Sequence, residues 1–103
     1  MNMDCDYFKS HIQEELEGAK EYAKAALEIK AVNPSWANTY VSMCSQELIH
    51  AKNFYEMFND YYEKAVKPYS EPPKYFKDKR EDIMNLYTEC YTRVKWLLEM
   101  VSK

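Results

Sequence analysis

A chain of 103 residues is sized for one domain with a modest core, and one glycine, four prolines and plentiful Ala, Leu, Glu and Lys describe long helices with few turns. A formal charge of −3 with no basic stripe argues against a nucleic-acid binder, and no run of about 20 apolar residues offers a membrane span. Ten tyrosines within an aromatic share of 16% point to bulky, polar-tipped positions along those helices.

The first helix is predicted near residues 4–31. Its start, Met1 to Lys9, is polar and acidic and unlike a secretory signal, so the cytoplasm is the expected compartment. Asn33-Pro34-Ser35 breaks the pattern, with Asn33 suited to cap a second helix near 35–66 and Pro34 to its first position. Pro68, Pro72 and Pro73 crowd the next break, and a third helix follows near 74–101. Cys5, Cys44 and Cys90 are dispersed, without a paired C-x-x-C, and read as plain reduced thiols. The whole of 1–103 is therefore expected to be one all-α domain. Short connections make the first two helices an antiparallel hairpin. A hairpin with one extra helix leaves an apolar face open, and a homodimer that pairs two hairpins into a four-helix bundle would cover it.

Projecting the helices at about 100° per residue exposes an anomaly. Phe8, Ile12, Ala19, Tyr22, Ala26 and Ile29 fall within roughly 60° of Glu15, whereas Glu14, Glu17, Glu21 and Glu28 fall roughly 100° or more away, on the solvent side. On the second helix Trp36, Tyr40, Met43, Ala51, Phe54, Phe58, Tyr61 and Ala65 lie within about 45° of Glu47, and His50 sits at the edge of that stripe. Glu15 and Glu47 are each 16 residues from Ala31, so an antiparallel hairpin brings them to one level. Two carboxylates on an apolar face need a counter-charge, and no Lys or Arg shares the stripe there. On the residues alone Glu15 is also compatible with a half-exposed position or a partner-chain lysine, and His50 with a neutral core histidine. A bound cation accounts for both together.

The donor types favour iron, with manganese possible, over structural zinc, which prefers thiolates. Di-iron bundles take one Glu from each of two helices and a Glu-x-x-His pair from each of the other two. This chain has one lone Glu (Glu15) and one pair (Glu47, His50), which is half the set. The dimer that covers the open face would also complete the site.

Here the sequence resembles the ferritin-like superfamily, in particular rubrerythrin and the half-length encapsulated ferritins, on Glu14-Glu15-Leu16-Glu17-Gly18-Ala19-Lys20-Glu21-Tyr22 and Glu47-Leu48-Ile49-His50-Ala51-Lys52. The resemblance covers roughly residues 8–60. It implies Glu15 as a terminal ligand, Glu47 as a bridging ligand and His50 as a nitrogen ligand, with Tyr22 donating a hydrogen bond to that set. The chain has no second Glu and Glu-x-x-His half and no Cys-rich module, and Leu97–Lys103 is unlike an encapsulin-docking tail. Electron donor and enclosing partner therefore do not carry over.

The third helix supplies no obvious ligand. Ile83, Leu86, Tyr87, Cys90, Val94, Leu97 and Val101 form its apolar stripe, and Glu81 and Glu89 project off it, so it is expected to serve packing or assembly. The expected function is an oxidoreductase, a ferroxidase or a relative that reduces O2 or H2O2, with Glu15, Glu47 and His50 as its working residues. The alternatives are a non-catalytic metal-binding or storage component and a metal-free helical interaction module.

Overall fold

A computed structural model of the chain describes residues 3–103; of the expected domain, Met1 and Asn2 lie outside the described residues. Three helices follow one another, α1 (Cys5–Ile29), α2 (Pro34–Val66) and α3 (Lys74–Ser102), with no strand among the described residues. Local chemistry sets their ends. The Asp4 carboxylate accepts from the Tyr7 amide at 2.9 Å and caps α1, and the Asn33 side chain accepts from the Trp36 amide at 3.1 Å and caps α2. Pro34 takes the first position of α2, where its missing N–H costs nothing. Between them the Ile29 carbonyl accepts from both the Val32 and Asn33 amides, which closes the turn tightly.

α1 is the shared element. It packs along α2 and along α3, while α2 and α3 meet over a shorter stretch. The sealed line on α1 is Cys5, Phe8, Ile12, Leu16, Ala19, Ala23 and Ala26. Ala37, Cys44, Leu48, Ala51, Phe58 and Tyr62 meet it from α2, and Ile83, Val94 and Leu97 from α3. Small side chains at Ala19, Ala23 and Ala26 suit close approach of the helices toward the turn. At the other end Phe8, Phe58, Tyr61 and Tyr62 pack with tilted rings, Phe8 lying 5.4 Å from Tyr61. Lys9–Asp82 and Lys79–Asp6 pairs tie α1 to α3 at one end. At the other, the Lys30 amine donates to the Met100 carbonyl at 2.9 Å, at the last turn of α3.

The buried lines correct the expected stripes. Each single broad stripe on α1 and α2 divides into a sealed seam and a half-open flank, because α3 claims only one side of the hairpin. Glu15 lies about 60° round from Ile12, the middle of the seam, and not at its centre. Trp36, placed on the apolar stripe of α2, is 60% exposed. On α3, Leu86, Tyr87, Cys90 and Val101 are half-buried, and Glu81 and Glu89 face solvent.

The molecule is correspondingly flat, with principal dimensions of 57 × 24 × 14 Å. The radius of gyration is 16.4 Å, against about 13 Å for a compact domain of this length.

Candidate metal centre

The half-open flank is built from both arms of the hairpin. α1 contributes His11, Glu15, Gly18, Tyr22, Ala25 and Ile29, spaced three and four apart, so they form one line. α2 contributes Trp36, Tyr40, Met43, Glu47, His50, Phe54, Met57 and Tyr61 by the same spacing. Aromatic and methionine side chains occupy the two ends of this surface. The polar cluster sits between them.

At the cluster, one ligand atom each from Glu15, Glu47 and His50 lies within 4.8 Å of the other two. His50 Nδ1 is 3.4 Å from Glu15 Oε2, and their side chains are 53% and 21% exposed. Among the described residues no charged side chain is fully buried, so this cluster faces outward and is not sealed within the chain. The Glu47 carboxyl is hydrogen-bonded to that of Glu15, which, with partial burial and the like charge alongside, pushes its pKa up to about 7. Two carboxylates this close at neutral pH share a proton or a cation. The His50 imidazole alongside acts against that shift and favours the carboxylate form.

A residue that sequence reasoning quoted without assigning a role also belongs here. Gly18 is the chain's only glycine and sits inside α1, where glycine costs roughly 0.5–1 kcal/mol relative to alanine. Its φ is not positive, so the backbone does not require it. A Cβ at this position would lie 3.1 Å from Glu47 Oε2 and 3.5 Å from Glu47 Cδ. An isolated helix-interior glycine was the available signal. His11, one turn before Glu15, was also overlooked; its ring stacks on Phe54 at 4.7 Å and lies outside the cluster.

Tyr22 lies on the same line as Glu15 and Gly18, with its ring 6.2 Å from that of Tyr40. Glu89 is exposed on α3, away from the cluster. Cys44 and Cys5 are buried and Cys90 half-buried, all unpaired, and burial pushes the Cys44 thiol up to about 11, which leaves it a poor thiolate donor.

A family model described as Rubrerythrin matches residues 6–102. The chain belongs to the rubrerythrin family. The match places it in the ferritin-like superfamily and extends the likeness from the hairpin to nearly the whole chain, α3 included. No curated protein and no solved structure matches it. Rubrerythrin-family proteins generally bind iron. The cluster fits such an ion in donor type, two carboxylates and an imidazole with no thiolate. One pair of donors, His50 Nδ1 and Glu15 Oε2 at 3.4 Å, stands at the separation of two ligands about 2.1 Å from one ion, about 3–4 Å.

Proposed function

We propose that this rubrerythrin-family chain is a di-iron carboxylate protein whose site is shared between two copies, acting as a ferroxidase or as an O2- or H2O2-reducing oxidoreductase. The convergence of Glu15, Glu47 and His50 on an outward-facing flank carries the proposal. Within one chain these three groups offer half of the ligand set of a bundle-core di-iron centre. Two copies related by a two-fold axis through the cluster would contribute four carboxylates and two imidazoles. The flatness of the molecule and the apolar ends of the same flank supply the reason to pair.

In this reading Glu15 would be a terminal ligand, His50 would hold an ion through a ring nitrogen, and Glu47 would be the carboxylate shared between the two ions, with manganese the alternative metal for the same donors. When bound, a pair of ferrous ions supplies two electrons together to O2 or H2O2. The chain's own part is to fix the donors and to limit water at the cluster with the aromatic ends of the flank. Glu47 also holds a proton that metal binding must displace, since the ligand form is the carboxylate. Tyr22 would donate from its hydroxyl to a ligand carboxylate. No helix is long and apolar enough to cross a membrane, and three unpaired cysteines suit a reducing compartment such as the cytoplasm.

The test is native mass spectrometry after anaerobic Fe(II) loading, wild type beside Glu47→Ala. Two irons per dimer, absent in the variant, are expected. A metal-free dimer or a monomer would leave a helical interaction module as the better account. Iron uptake without O2 or peroxide consumption would select the storage role.

A further inference from the structure

We infer that Gly18 is a positioning residue for the metal centre, its missing side chain giving the Glu47 carboxylate a place against α1 beside Glu15. The inference rests on the di-iron reading above and adds to it a residue that ligates nothing. The glycine needs an explanation, because a helix interior with ordinary φ favours almost any other residue. The surroundings supply one. All three atoms nearest to a Cβ built on Gly18 belong to Glu47: Oε2 at 3.1 Å, Cδ at 3.5 Å and Cγ at 3.8 Å. Neither backbone nor another side chain crowds the position more closely, so the space is reserved for one carboxylate.

A methyl group at 18 would therefore meet first the end of a flexible side chain. The fold accommodates it by swinging Glu47 outward a few tenths of an ångström or more. The helix gains, since alanine loses less backbone freedom on folding than glycine. The cluster loses, because Glu47 is the carboxylate that α2 sets beside Glu15, and its displacement opens the spacing on which a shared cation depends. Stability and metal affinity should then move in opposite directions, which a purely structural glycine would not produce.

The experiment compares wild type, Gly18→Ala and Lys24→Gly, an exposed position in the same helix on the side opposite Glu15, as full-length protein. Each is melted in the apo form, checked for its oligomer by native mass spectrometry, and titrated anaerobically with Fe(II). For Gly18→Ala the apo midpoint is expected to rise by a few degrees, the oligomer to be unchanged and iron affinity to fall about tenfold or more, the range for groups that support metal ligands. Lys24→Gly should lower the midpoint and leave the iron titration unchanged. Wild-type iron affinity in Gly18→Ala would overturn the inference and leave the di-iron reading standing. A lower apo midpoint or a lost dimer would overturn it too, by showing that the glycine serves packing. No iron bound by wild type would overturn both.

Discussion

On one side of α1, Ile12, Leu16 and Ala23 are met by neighbouring helices and sealed from solvent. On its other side His11, Glu15, Gly18 and Tyr22 line a strip that remains half open. Both strips recur at the same three-and-four spacing, and both carry apolar residues. They differ in what their polar members do. The seam contains no charged side chain among the described residues, and its burial serves stability. The flank accepts two carboxylates and a histidine, leaves Trp36 and Met57 exposed, and keeps a glycine that weakens its helix. A protein this small has little stability to spare, and it concentrates those costs on the face where chemistry and a partner would be found.

The largest effect should come from breaking the seam. Phe58→Ala, at a side chain 1% exposed among Phe8, Tyr61 and Tyr62, should cost about 3–5 kcal/mol in urea denaturation and threaten folding outright. An equal loss on truncating Met57, one residue away on the flank, would erase the distinction between the two strips. Next, Trp36→Ala should leave the protomer's stability within about 0.5 kcal/mol while weakening self-association by about 2 kcal/mol, roughly 30-fold in Kd by sedimentation. The reverse pattern would make Trp36 a core residue and the flank an ordinary surface.

The smallest effect concerns protons. Glu47 has its carboxyl pKa raised to about 7, so the folded apo protein holds a proton there that the unfolded chain has released. Its contribution to stability is complete below the ordinary carboxylate pKa near 4.5 and is lost as pH rises toward 7. The apo melting temperature should fall across that interval, and Glu47→Gln should flatten the slope. Metal binding should show the opposite trend and strengthen as pH rises, because it competes with that proton.

Much of this was legible in the sequence. Asn33-Pro34 and the Pro68–Pro73 cluster mark breaks by chemistry that acts within a few residues, and the structure ends its helices beside them. Glu15, Glu47 and His50 stood out because a charge among apolar residues breaks the helical period, and equal counts from Ala31 set their common level. What a helical projection cannot supply is the neighbour. It showed one wide stripe per helix, where tertiary packing made a seam and a flank by placing α3 against α1. Trp36 lies on the Glu47 line that the projection gave and is still 60% exposed in the single chain, since its hydrophobicity says that it should be covered and not by what. Gly18 carried a visible signal, yet its meaning lies in a distance to a residue 29 positions away, and no local rule measures that.

The tight turn at Lys30–Asn33 has a consequence for how such a chain can change over time. With the Ile29 carbonyl holding two amides, the turn acts as a fixed origin from which both arms are counted. Whole turns can be added or removed at the ends of α1 and α2 far from it, lengthening or shortening the hairpin, without disturbing the level at which Glu15 and Glu47 meet. One residue gained or lost between either glutamate and the turn instead swings that carboxylate by about 100° and 1.5 Å. The two helices are thus free to vary in length at their distant ends and locked in count at the near one, so insertions and deletions should be tolerated very unequally along a hairpin that looks uniform.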